Sequence, residues 1–191
     1  FASYGTPKKG DFLYKDLNGD GVIDDNDKYA VGHGLAPRLT YGFSLGAEWN
    51  GFDFSCLFQG NAGLQVYWQD KFYMGYINYG DVINKEIAEG AWREGRTNAT
   101  YPRLLTGLNT LNAQPSDFWV QNKSYLRLKN VQIGYKIPKK LLQKLDISQL
   151  RLYTSLENML TFTSYKGIDP EISGTTYPTM KQITVGVNVV F

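Results

Sequence analysis

The densest chemistry in the sequence lies between residues 16 and 27, which read Asp-Leu-Asn-Gly-Asp-Gly-Val-Ile-Asp-Asp-Asn-Asp. Oxygen donors recur at Asp16, Asn18 and Asp20, and Gly21 follows where the chain must turn sharply. Val22 offers a backbone carbonyl, Asp24 a further carboxylate, and Asp27 closes the run. This is the spacing of an EF-hand loop, which gathers ~6–8 oxygens around calcium; magnesium, by contrast, rarely accepts an all-protein cage. Two features depart from the scheme. Asp27 stands where Glu is usual, as in dockerin-type loops, and the preceding Lys-Lys-Gly-Asp-Phe-Leu-Tyr-Lys run offers no clear entering helix. The expectation is a structural calcium ion that ties down a long loop; the plain alternative is an acidic surface turn rich in Asn and Gly.

Other reactive residues are sparse. His33 and Cys56 each stand alone, so zinc ligation, an imidazole base and an internal disulfide all lack partners. There is no nucleophile elbow and no phosphate-cradling glycine loop, and paired carboxylates occur only within the calcium motif. The chain is therefore not expected to be an enzyme. Twenty Lys and Arg against 18 Asp and Glu leave a net charge of +2, with no concentrated basic face to suggest nucleic acid. Aromatics are abundant. Tyr67, Trp68, Phe72, Tyr73, Tyr76, Tyr79 and Trp92 sit in what reads as a long loop, where Tyr and Trp suit sugar faces, apolar side chains or a protein partner. Packing of the loop against itself would use the same residues.

The elements that must carry these loops alternate with period two. Leu39, Tyr41, Phe43, Leu45, Ala47 and Trp49 share one face, while Thr40, Gly42, Ser44, Gly46 and Glu48 share the other. The run fits the ~9–11 residues of a tilted membrane strand. Asn50–Gly51 is a strong hairpin signal, because a type I′ turn needs positive φ at both central positions. Phe52, Phe54, Cys56 and Phe58 bring the chain back. A third strand is expected over about 125–137 and ends at Ile137–Pro138; a short helical connection over 139–145 follows. The fourth runs over about 149–162, and the fifth carries Ile183, Val185, Val187, Val189 and Phe191 on one parity.

Small and polar residues on the second face would fill a sandwich core badly, but they suit the wet lumen of a barrel whose other face meets lipid. Connections alternate between short and long, as expected when one end faces the periplasm. The fold class expected is therefore all-β: about five antiparallel strands at the C-terminal end of a large transmembrane β-barrel. Residues 1–38 would form an extracellular loop with the calcium motif, and 39–191 the strands, with extracellular loops at 69–124 and 163–179. Arg127 and Lys129 fit least well, since they share parity with Val131 and Ile133. A charge at the bilayer midplane costs about 2–4 kcal/mol. The expectation places both at the outer strand end among head groups, with a register-resetting bulge as the alternative. No run approaches the ~20 apolar residues of a membrane helix, and the opening Phe-Ala-Ser-Tyr-Gly-Thr-Pro lacks a signal peptide. The start is thus expected to be internal to a longer protein.

Several ordered segments carry a resemblance. They are DLNGDGVIDDNDKYAVG with PRLTYGFSLGAEWNGFDFSCLFQG, then AWREGRTNATYPRL, KSYLRLKNVQIGYKIP, LRLYTSLENMLTFTSYKGIDPE and the closing PTMKQITVGVNVVF. The chain resembles the C-terminal part of SusC/RagA-type TonB-dependent outer-membrane transporters of Bacteroidetes. The resemblance implies a barrel of about 22 strands with a plugged lumen, of which these would be the last. It further implies outer-membrane localisation, import of glycans or peptides, a SusD-like surface lipoprotein as lid, and coupling to TonB through an N-terminal part. The remainder of the barrel, with its plug domain, and membrane lipid are the other implied partners. Tyr67, Trp68, Phe72, Tyr73, Tyr76 and Trp92 become candidates for substrate or lid contact, and Phe191 for the terminal aromatic read in barrel assembly. The competing reading is a secreted calcium-binding β module with a carbohydrate-binding face.

Overall fold

Runs that alternate large apolar side chains with small polar ones favour pleated strands with two unlike faces. In the computed structural model five such runs form one sheet. The structure describes residues 5–32, 34, 36–67, 76–77, 83–106, 111–143, 146–172 and 177–191. The strands in chain order are β1 (Leu39–Trp49), β2 (Phe52–Ala62), β3 (Gln65–Tyr67), β4 (Tyr76–Ile77), β5 (Leu105–Thr106), β6 (Val120–Asn122), β7 (Tyr125–Lys136), β8 (Gln149–Thr163) and β9 (Gln182–Val190). Among the described residues there are also two short helices, α1 (Lys85–Gly90) and α2 (Lys139–Leu142), and single 3-10 turns at Asp25–Asp27 and Asp117–Trp119.

The main sheet has the order β1-β2-β7-β8-β9, every pair antiparallel. Among the described residues β1 pairs only with β2 and β9 only with β8, so each presents one edge with no partner strand there. The β1–β2 register is continuous from Leu39 opposite Ala62 to Trp49 opposite Phe52. Asn50 and Gly51 close this hairpin with φ of 48° and 87°, as a type I′ turn demands. A side chain at Gly51 would also press within 3.0 Å of the Lys136 carbonyl.

The β7 register holds one correction. Pairing to β2 shifts between Leu57 and Phe58, so that Leu128 faces Phe58 while Asn130 faces Leu57. Lys129 is thus the extra residue of a β-bulge, and β8 carries its own irregularity at the same level, where Asn158 adopts φ 54°. Arg127 therefore pairs with Gln59 and Thr161 on the polar face. The bulge reading is the one realised, in place of charges held among head groups on the apolar parity. A bulge costs one unpaired backbone position, far less than a guanidinium turned toward lipid.

With that register the two faces are sharply distinct. The apolar face carries Phe43, Leu45 and Trp49 from β1, Phe52, Phe54 and Phe58 from β2, and Leu128, Val131 and Ile133 from β7. It continues through Leu152, Leu156, Leu160 and Phe162 of β8 to Ile183, Val185, Val187 and Val189 of β9. No Asp, Glu, Lys or Arg stands at this parity in any of the five strands. These apolar side chains are not tucked into a core: Val185 is 77% exposed, Ile183 66%, Leu45 59% and Phe162 57%. The opposite face holds Glu48, Asp53, Gln59, Arg127, Gln132, Lys136, Arg151, Ser155, Glu157, Thr184 and Asn188.

The chain separates into two compact units, one from residues within Phe1–Gly32 and Tyr67–Val120, the other from His33–Val66 and Gln121–Phe191. The second unit holds the five-stranded sheet. In the first, stretches far apart in sequence share one interior. Ile23, Ile87, Ala91, Tyr101 and Trp119 are buried there. Phe12 lies tilted against Phe118 with ring centroids 4.8 Å apart, and Phe118 meets Trp119 edge-on at 4.8 Å. Contacts of this kind add about 0.5–1.5 kcal/mol each beyond area burial. Polar links accompany them. Arg103 grips Asp11 with two nitrogens at 2.6 and 2.9 Å, Asn112 Nδ2 donates to Asp11 at 3.0 Å, and the Phe12 N–H donates to Asn112 Oδ1 at 2.9 Å.

Candidate functional site

The acidic loop folds around its own amides. Asp16 accepts from the N–H of Gly19 at 2.6 Å and of Gly21 at 2.8 Å. Asn18 accepts from Asp20 N at 2.9 Å, and Asp20 from Val22 N at 2.8 Å. Asp27 takes Leu17 N at 2.7 Å and Asp24 N at 2.8 Å, a reciprocal cap with Asp24 on the 3-10 turn. Those backbone hydrogen bonds hold the Asp27 carboxyl below its ordinary range. Gly19 and Gly21, at φ 79° and 83°, provide the reversals that bring these amides inward. Val22 is largely exposed, whereas Ile23 beside it is buried and anchors the loop. As donors these residues suit a hard cation, since a carboxylate oxygen that accepts one amide retains a lone pair. Among the described residues, no group of three or more His, Cys, Asp or Glu converges closely enough to hold a metal. The carboxylates are turned to amides instead of to one common point.

The aromatic candidates do not form a described cluster. Trp68, Phe72, Tyr73 and Tyr79 lie outside the described residues, and Tyr76 is placed only by its backbone in β4. Tyr67 ends β3 half-buried, and burial pushes its phenol pKa up. Trp92 is half-buried over Gly10, where an added Cβ would collide with its ring carbons. That contact gives Trp92 a packing partner within its unit. Phe191 follows β9 and is 86% exposed.

Charge on the polar face gathers at both strand ends, which periodicity alone did not indicate. At the short-turn end Arg151 holds Asp53 with two nitrogens at 2.9 and 2.5 Å and lies 5.0 Å from the Tyr153 ring. Lys136 pairs with Glu48 at 3.3 Å nearby. At the other end Arg127 donates to Thr161 at 2.8 Å, Glu171 at 2.5 Å and Asp169 at 2.7 Å, while Lys129 reaches Glu171 at 2.6 Å. The parity conflict at Arg127 was the sequence signal for this second group. It marked a strand that had to shift register, without revealing the carboxylates some forty residues on.

An uncharged, solvent-exposed apolar face backed by a polar face, in an antiparallel sheet with tight turns at one end and long excursions at the other, is the wall of a transmembrane β-barrel. Among the described residues no helix is long and apolar enough to cross a membrane. No family model matches the sequence. The chain is 31% identical to TonB-dependent receptor P3 of Formosa agariphila over 203 residues, covering 98% of this chain and 20% of the receptor. It is 27% identical to TonB-dependent receptor SusC of Bacteroides thetaiotaomicron, covering 94% of this chain and 17% of that protein. Its structure matches the RagAB peptide importer in the open-open state with a TM-score of 0.70 at 29% identity, over 89% of this chain and 19% of that one. The chain spans about one fifth of the length of the relatives it matches. Over that fifth it corresponds to part of a SusC/RagA-type TonB-dependent receptor. These relatives are receptors and an importer, not enzymes, in keeping with the sequence reading, and none of them supports the secreted calcium-binding module.

Proposed function

We propose that the chain forms part of the barrel wall of an energy-coupled nutrient importer in the outer membrane. The observation that carries this reading is the absence of charge across the exposed apolar face of all five strands, in a chain about 30% identical to TonB-dependent receptors. The sheet separates lipid from a wet lumen, and its polar face lines the route that a hydrophilic nutrient takes. Coupling to TonB resides in parts of the protein outside these residues. A surface lipoprotein of the SusD type serves as lid, as the resemblance to SusC/RagA-type transporters implies. The cargo is an oligosaccharide or a peptide. Tyr67, Trp68, Phe72, Tyr73, Tyr76 and Trp92 are the residues nearest in character to a substrate or lid contact, and Phe191 to an assembly signal.

The test is fractionation of native membranes, detergent extraction and mass spectrometry of what copurifies. The expected result is recovery only from the outer membrane, together with the rest of a larger barrel and a lipoprotein. Recovery as a detergent-independent soluble monomer overturns the reading. Growth of a strain lacking the gene, on single oligosaccharides against peptide mixtures, then distinguishes the two cargo classes.

Calcium belongs to the same reading as a structural ion. Asp16, Asn18, Asp20, Val22 (through its carbonyl), Asp24 and Asp27 would hold it, and it would draw the carboxylates together and stiffen the loop. Thermal stability of the whole transporter should fall with EDTA and return with calcium. In a variant with Asp16→Ala and Asp20→Ala that difference should vanish; an EDTA-insensitive wild type sinks the calcium assignment.

A further inference from the structure

We propose that residues 164–172 form a fixed strap folded over the polar face at the long-loop end of the sheet, locked there by Arg127, and that in the closed barrel this strap narrows the outer mouth of the lumen. The inference rests on the barrel reading above.

The lock is built from both the wall and the loop. Arg127 in β7 is 3% exposed and points to the polar face, among Gln59 and Thr161. Its three guanidinium nitrogens are all engaged: Nε with Thr161 of the wall, Nη2 with Asp169 and Nη1 with Glu171 of the loop. Asp169, 5% exposed, accepts a second bond from the Glu171 N–H at 2.8 Å and a third from the Thr179 N–H at 3.0 Å. One carboxylate therefore ties the outgoing limb, the returning limb and the wall together. Burial raises the Asp169 carboxyl, but the bonds from Arg127, Glu171 and Thr179 outweigh it and keep it ionised.

Further contacts repeat the pattern. Lys129, the residue inserted by the bulge, reaches the other Glu171 oxygen at 2.6 Å. Lys123, also buried, donates from Nζ to the Ile172 carbonyl and lies 5.5 Å from the Tyr165 ring. Arg127 itself lies 5.7 Å from the Tyr125 ring. The bulge is what brings Arg127 to this side, since an unbroken strand would turn it toward lipid. A loop that only reached into solvent would need no buried guanidinium. A network with its donors met on both sides specifies one geometry, and burial shields it from salt. These features describe a static constriction and not a hinge.

The test uses the full-length transporter in its native outer membrane, with Arg127→Met and the milder Asp169→Asn. Two quantities are read on intact cells: tryptic cleavage after the exposed Lys166, and sensitivity to a bulky hydrophilic antibiotic that the outer membrane excludes. Releasing the strap should speed cleavage by about tenfold or more, because proteolysis follows the population of the open form. Sensitivity to the antibiotic should rise with it. The proposal is overturned if a variant reaches the outer membrane at wild-type level with both quantities unchanged. It is also overturned if neither variant assembles, since the network would then hold the wall and not the strap. A wild-type chain missing from the outer membrane would instead remove the barrel reading itself.

Discussion

Asp11 shows how much a single side chain can organise. Its carboxylate is nearly inaccessible, yet it meets Arg103 and Asn112, residues 92 and 101 positions away. Burial alone would raise its pKa, but the bonds from Arg103, the Lys8 N–H and Asn112 outweigh that and hold it below the ordinary value. A carboxyl depressed in the folded state stabilises above its unfolded pKa of ~3.9, and the contribution fades as pH falls through the folded value. Hydrogen exchange at residues 8–14 and 111–119, corrected for intrinsic rates, should therefore stay flat from neutrality to about pH 4 and rise below it. Arg103→Met should cost about 2–3 kcal/mol in the same measurement, because it strands a buried charge. Gly10→Ala should cost about 1–3 kcal/mol, through strain at positive φ and collision with Trp92. At this scale the sequence was legible only where spacing is local. The acidic loop could be read from residue types alone, whereas the Asp11–Arg103 pair joins two stretches whose proximity nothing local encodes.

The strands were the most legible elements, because two unlike faces impose a period that survives any tertiary context. The alternation from Leu39 to Trp49 became β1 with the same bounds, and Asn50–Gly51 became the turn that its φ preferences require. The helical spacing after Pro138 shrank to α2, Lys139–Leu142. What periodicity could not supply was the insertion at Lys129, since a bulge appears in sequence only as a charge on the wrong parity. The two faces make an asymmetric expectation. Val187→Lys, on the apolar face, should cost about 2–4 kcal/mol if it lies near the midplane, whereas Asn188→Lys next to it should be tolerated. Comparing the heat-modifiable mobility of the two variants in detergent gels checks this; equal behaviour would mean that the faces are misassigned.

For the molecule as a whole, the division into a sheet unit and an aromatic loop unit was only half visible. The sequence reading treats residues 1–38 and the excursion over 69–124 as separate loops, whereas residues from both pack into one unit around Trp119 and Ile87. Loops with an interior of their own should resist proteases. On intact cells, cleavage within 83–106 should be slow in the wild type and fast in Trp119→Ala, with barrel assembly unaffected. The unpaired edges of β1 and β9 carry a different consequence. Each is a row of amide and carbonyl groups that its neighbours in the barrel must satisfy. A newly exported chain that waits for those neighbours exposes two adhesive strips and an oily sheet at once. Such a protein should need escort by chaperones until closure, and when export outruns assembly its failure should take the form of edge-to-edge β-aggregates, not of slow unfolding.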